Sequence, residues 1–124
     1  MMKILITNDD GISSRGLLLL AKKAMKFGEV TVAAPKTEQS GKSQSINIHS
    51  PFEAREVELL PGVRAYSVDS SPADCVRFAK LGLGVNYDLV LSGINNGLNI
   101  GIDMVYSGTV GAIFEANSEG MPAV

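Results

Sequence analysis

Short apolar runs alternate with polar, glycine-rich segments along the chain. Residues 3–7 (Lys-Ile-Leu-Ile-Thr) predict a buried strand that stops at the turn signal Asn8-Asp9-Asp10-Gly11. Over residues 16–27, Leu17, Leu18, Leu20, Ala21, Ala24 and Met25 recur at helical spacing, with Lys22, Lys23 and Lys26 on the other side. Ser13 or Ser14 is the candidate cap of this helix, and Gly28 its expected end. Residues 29–34 (Glu-Val-Thr-Val-Ala-Ala) predict a second strand stopped by Pro35. Strand, helix and strand within some thirty residues make a βαβ unit with a right-handed crossover.

Further along, residues 45–49 (Ser-Ile-Asn-Ile-His) alternate like a half-buried strand, and residues 52–60 and 63–68 form a predicted hairpin around Pro61-Gly62. Ser71, Pro72 and Asp74 occupy the cap, first and third positions of a helix predicted over residues 72–83. Residues 88–92 predict another strand, and residues 110–118 another helix. The expected fold class is α/β, with a mostly parallel sheet and a β-hairpin insertion.

Length and composition narrow the class further. A chain of 124 residues with 45% hydrophobic and 19% charged residues is expected to form a single domain, residues 1–124, with a core of its own. A net charge of -2, without clustered Lys and Arg, gives no basic footprint for nucleic acid. Aromatic residues make up only 6% and Trp is absent, so stacking platforms for bases are few. The single cysteine, Cys75, reads as a small core residue rather than half of a disulfide. No signal-peptide pattern and no apolar run of the ~18 residues a membrane helix needs is present, so no membrane partner is expected. The closing Gly120-Met121-Pro122-Ala123-Val124 reads as a helix end followed by the first residues of a strand, the pattern expected of a piece of a longer chain.

The candidate chemistry lies at strand ends. Asp9 and Asp10 follow a parallel strand at its carboxyl end, where open α/β sheets place their ligands. Neighbouring carboxylates repel unless a cation sits between them, and oxygen-only ligands suit Mg²⁺ or Mn²⁺. The plainer alternative is a turn in which Asp9 or Asp10 caps the next helix. Residues 36–45 form a loop of hydroxyls at the same sheet edge. Its Gly41-Lys42-Ser43 is not a phosphate-binding P-loop, because position 36, five residues before Gly41, is lysine rather than glycine. His49, the only histidine, reads as structural, and Asp74 as a capping residue. The run Ser92-Gly93-Ile94-Asn95-Asn96-Gly97-Leu98-Asn99-Ile100-Gly101 follows a strand and combines carboxamides with glycines that let backbone approach a small ligand. Ser107-Gly108-Thr109 would open the last helix, where free N–H groups and hydroxyls suit a phosphate.

Thr7-Asn8-Asp9-Asp10-Gly11, Ser40-Gly41, Ser71-Pro72-Ala73-Asp74-Cys75-Val76, Ser92-Gly93-Ile94-Asn95 with Gly97, Asn99 and Gly101, and Ser107-Gly108-Thr109-Val110 occur in this order. Together they resemble the survival protein SurE family of metal-dependent nucleotidases. The resemblance implies a Rossmann-like, three-layer, cytoplasmic phosphatase acting on nucleoside 5′- and 3′-monophosphates, with some activity on short polyphosphate. It implies one divalent metal ion (Mg²⁺ or Mn²⁺) held by Asp9, Asp10, Ser40 and Asn95. Asp9 and Asp10 are the catalytic candidates, and Asn99, Ser107, Gly108 and Thr109 match the phosphate-side pocket. Family members are about twice this length and form homodimers or homotetramers, and they more often have glycine where this chain has Ser70. Water or Asp9 as the nucleophile both remain open. The rival readings are a non-catalytic nucleotide- or phosphate-binding module and a pure interaction domain.

Overall fold

A computed structural model describes residues 2–37, 52–93, 116 and 120–124 of the chain. Five strands form one sheet in the order β3-β4-β2-β1-β5. β1 (Lys3–Thr7) lies at its centre, between β2 (Glu29–Pro35) and β5 (Leu89–Ser92), and is parallel to both. β4 (Arg64–Val68) continues the parallel set beyond β2, and β3 (Ala54–Val57) closes that edge antiparallel to β4. On the opposite side Ala123 bridges in parallel to Val90, the beginning expected for the chain's last residues.

Two helical layers sandwich the sheet. Helix α1 (Arg15–Ala24) packs on the face that carries Ile4, Ile6, Val30, Val32 and Ala34, through Leu17, Ala21 and Ala24. Helix α2 (Pro72–Arg77) packs on the other face, where Cys75 and Val76 meet Leu5, Ala33, Tyr66 and Val68. Period-two alternation along β1 and β2 sends successive side chains to opposite cores, and both faces are covered. This is why their runs are continuously apolar rather than alternating with polar residues. Full burial of each large apolar side chain contributes about 1.5–3 kcal/mol.

The elements follow the sequence pattern with four differences. Pro35 is the last residue of β2 rather than the residue that stops it; as the terminal strand residue it needs no ladder N–H. The predicted hairpin is part of the main sheet: its second strand, β4, pairs in parallel with β2. The helix predicted over residues 72–83 is α-helical only to Arg77 and continues as a π-helical turn, Phe78–Gly82. Helix α1 ends at Ala24, and Gly28 acts by close approach instead. A Cβ at Gly28 would stand 2.3 Å from the Met2 carbonyl oxygen, the acceptor of the Glu29 amide at 2.8 Å. The strand expected at residues 45–49 and the helix expected at residues 110–118 lie outside the described residues, apart from Ala116, which is helical and buried.

Candidate metal and phosphate site at the sheet's switch point

The chain leaves β1 to build strands on one side, β2 and then β4, and returns to place β5 on the other. The point of reversal lies between the carboxyl ends of β1 and β5. In doubly wound sheets the connections from adjacent strands at such a point lead away in opposite directions, and ligands bind in the crevice between them. Asp9 and Asp10 stand at the end of β1, and Ser92 and Gly93 at the end of β5. The two ends are tied directly: Ser92 is in register with Thr7, and the Gly93 amide donates to the Thr7 carbonyl at 2.9 Å. Gly93 has φ 150°, a conformation that side chains disfavour.

The turn after β1 is built around Asn8, which is fully buried. Its Nδ2 donates to the Gly11 carbonyl at 3.0 Å, and the Gly11 amide donates back to Oδ1 at 3.1 Å. Gly11 has φ 109°, where a Cβ would be strained. The Ile12 amide donates to the Pro35 carbonyl at 2.8 Å, docking the turn onto the end of β2. The Asn8 clasp thus fixes the backbone on both sides of Asp9 and Asp10. Asp9 is 5% exposed and Asp10 half-buried. A buried carboxylate beside a second one is costly unless donors or a cation compensate it.

The alternative of a simple helix cap is not what the turn provides. The N-cap of α1 is Ser14, four residues beyond Asp10, and its own side chain makes no capping hydrogen bond. The carboxylate pair supplies two hard oxygen donors on a braced turn, which suits a divalent cation of the Mg²⁺ or Mn²⁺ type. Among the described residues no group of three or more His, Cys, Asp and Glu side chains gathers, so any further ligands would have to be other oxygen donors. The remaining candidate ligands, Ser40 and Asn95, lie outside the described residues, as do Asn99, Ser107, Gly108, Thr109 and His49.

Asp74 is a capping residue, as its position predicts. Its amide donates to Ser71 Oγ at 3.2 Å, and its carboxylate accepts from the Ser70 hydroxyl. It is 1% exposed, so its carboxylate relies on such donors rather than on water. The serine at position 70 provides one of them. Cys75, on the same helix, lies in the core below Thr7. Burial pushes its thiol far above the ordinary value, the Thr7 hydroxyl offsets part of that, and the Asp74 carboxylate adds to it. Such a thiol is inert and takes no part in the site.

Asn8 is the residue that the sequence reading left out of the site. Its signal was present: an Asn three residues before a Gly is the pattern of a side chain closing a turn on its own backbone.

A model of the family described as Survival protein SurE matches residues 4–124. The chain is 48% identical over 125 residues to a protein of Clostridium beijerinckii named 5′-nucleotidase SurE, covering 99% of this chain and 49% of that one. It is 45% identical to the protein of the same name from Dehalococcoides mccartyi, covering 99% and 47%. The crystal structure of the SurE protein from Aquifex aeolicus superposes with a TM-score of 0.86 at 36% identity, over 98% of this chain and 48% of that chain. The chain thus spans about half the length of the relatives it matches.

Proposed function

Because the chain belongs to the survival protein SurE family, we propose that it carries the catalytic centre of a divalent-metal-dependent phosphatase. The substrates are nucleoside 5′- and 3′-monophosphates, cleaved to nucleoside and phosphate, with short polyphosphate as a further class. The observation that carries this reading is the placement of Asp9 and Asp10. Two adjacent carboxylates, one of them nearly buried, stand on a clasped turn at the crevice between β1 and β5. The name 5′-nucleotidase, borne by relatives that share nearly half of their matched residues with this chain, supports it.

In this reading Asp9, Asp10, Ser40 and Asn95 hold one Mg²⁺ or Mn²⁺ ion. Bound there, the ion supplies positive charge against the phosphate oxygens. The chain's own groups do the rest. Asn99, Ser107, Gly108 and Thr109 donate to the equatorial phosphate oxygens, where charge is spread in the transition state. Asp9 would take the proton of a water that attacks phosphorus as the ester P–O bond breaks, and return it to the departing nucleoside oxygen. Alternatively Asp9 would itself displace the nucleoside, whose oxygen takes a proton from water, and a second water would then hydrolyse the aspartyl phosphate to free phosphate and Asp9. Asn8 touches no reacting atom and acts as a positioning residue through Gly11. Placing the protein in the cytoplasm, as a homodimer or homotetramer without nucleic-acid or membrane partners, belongs to the same reading. Among the described residues no helix is long and apolar enough to cross a membrane.

The test is phosphate release from AMP and from a chromogenic phosphomonoester, with Mn²⁺ or Mg²⁺ and then with EDTA. Release that needs the metal and is lost in Asp9→Asn supports the proposal. A folded protein that binds AMP without releasing phosphate would make the chain a nucleotide-binding module instead.

A further inference from the structure

Strand β1 buries three apolar residues, Ile4, Leu5 and Ile6, and then a threonine. Thr7 is 0% exposed, and its Oγ1 has no hydrogen-bond partner among the described residues. The Cys75 thiol lies close enough to feel this hydroxyl but outside hydrogen-bond geometry, and a thiol is a weak partner in any case. A buried polar group left unpaired costs stability, so native proteins keep few of them, and those few call for a functional group, a water or an ion. Valine is branched in the same way, suits a strand equally well and carries no such cost.

Position gives the orphaned hydroxyl its meaning. Thr7 is the last residue of β1 and pairs in register with Ser92, the last residue of β5. Alternation along the two strands puts both side chains on the second face, where the residues before them are Leu5 and Val90. On that face the two strands thus change from apolar to hydroxyl side chains where they reach the crevice. The Thr7 carbonyl is held by the Gly93 amide, and branching at Cβ restricts χ1, so the hydroxyl is fixed before any ligand arrives. Asp9 follows two residues later. The Tyr87 hydroxyl is buried without a partner as well, but it precedes β5 at the opposite end of the sheet, with no acid pair beside it.

We propose that Thr7 is a positioning residue of the cation site: its hydroxyl bonds a water of the bound cation's shell and so steadies the ion against Asp9 and Asp10. The inference rests on the metal-dependent reading above and deepens it. A hard divalent ion held by few carboxylates keeps several of its waters, and groups that hydrogen-bond to a metal's immediate ligands orient them and tighten binding. A hydroxyl both donates and accepts, which suits such a water. Thr7 touches no reacting atom and moves no proton. The stability given up by burying an unpaired hydroxyl in the free protein is recovered when the cation and its water shell are in place.

Two measurements on the 124-residue chain test it together: Mn²⁺ binding, read by electron paramagnetic resonance of the free ion, and urea unfolding in EDTA. Thr7→Val is expected to unfold in EDTA at the same urea concentration as the unmodified chain or a higher one, because it removes an unpaired polar group. It is nevertheless expected to bind Mn²⁺ about tenfold more weakly or worse. Thr7→Ser keeps the hydroxyl and should bind Mn²⁺ far more tightly than Thr7→Val. Tyr87→Phe removes the other unpaired hydroxyl and should leave Mn²⁺ affinity unchanged. Unaltered affinity in Thr7→Val overturns the proposal and leaves the metal reading intact. Earlier unfolding of Thr7→Val in EDTA, or failure to fold, also overturns it, because the hydroxyl then has its partner within the chain itself. Binding by Thr7→Ser as weak as that of Thr7→Val has the same consequence. A folded, unmodified chain that binds no Mn²⁺ overturns the metal reading, and this inference with it.

Discussion

The Gly93 amide donates to the Thr7 carbonyl at 2.9 Å, the last rung between β5 and β1 before the two strands part. Thr7 precedes Asp9 by two residues, and Gly93 precedes Asn95 by two. One backbone hydrogen bond thus ties the strand end before Asp9 and Asp10 to the strand end that Asn95 follows in sequence. Strands pair about 4.8 Å apart, so this rung also sets the width at which the crevice begins.

The Asn8 clasp is expected to matter for stability as well as for the site. Asn8→Ala removes two hydrogen bonds and leaves the Gly11 amide without its side-chain acceptor. A loss of about 1–3 kcal/mol is expected, read as a lower urea midpoint at unchanged slope. If the proposed reaction holds, the same variant needs more Mn²⁺ for half-maximal phosphate release. A variant with wild-type stability and metal requirement would show that the clasp positions nothing.

Asp9→Asn keeps the shape of the side chain and removes its charge. Metal-dependent phosphate release should fall by at least 10³-fold, on the order of 4 kcal/mol of transition-state stabilisation. The melting temperature should stay within a few degrees or rise, since one carboxylate of a neighbouring pair is gone. Near-normal turnover would remove Asp9 from the chemistry.

Gly28→Ala probes the close approach that ends the first βα unit. The new methyl would sit 2.3 Å from the Met2 carbonyl oxygen, which is backbone and cannot swing aside. About 1–3 kcal/mol of destabilisation is expected from thermal or urea unfolding. A neutral result would mean that the amino end of β1 shifts freely.

Alkaline pH should unfold the protein through its buried acids. Burial raises the Cys75 thiol and the Tyr87 phenol above their ordinary values, with the Thr31 hydroxyl and the Arg64 guanidinium opposing this at Tyr87. In the unfolded chain these groups ionise near their reference values of about 8.5 and about 10. Above about pH 8.5 the unfolded state therefore loses a proton that the folded state keeps, and stability falls by up to about 1.4 kcal/mol per pH unit from Cys75 alone. Tyr87 adds to the slope above about pH 10. Below those values the contribution is fully present. Urea unfolding between pH 8 and 10 should show the decline, and Cys75→Ala should flatten it. An unchanged slope in that variant would mean that the thiol is not the cause.

Much of this was legible in the chain itself. The continuous apolar runs at β1 and β2, the lysine stripe of α1 and the Ser71-Pro72-Asp74 cap each specify a local structure through side-chain periodicity or capping chemistry, and those need no distant partner. The ordered motifs around Asp9 and Asp10 placed the chain in its family by the same kind of local signal. Strand order was decided by tertiary structure alone. That β4 joins the parallel sheet and that β5 returns beside β1 depend on which apolar faces pack together, and a run of Val and Leu carries no address. The close approach at Gly28 likewise depends on a neighbour remote in sequence, Met2. The same holds for the acids. Sequence made Asp9 and Asp10 either a turn or a ligand pair; only the fold put them beside the end of β5, because the crevice exists where two strands lead apart.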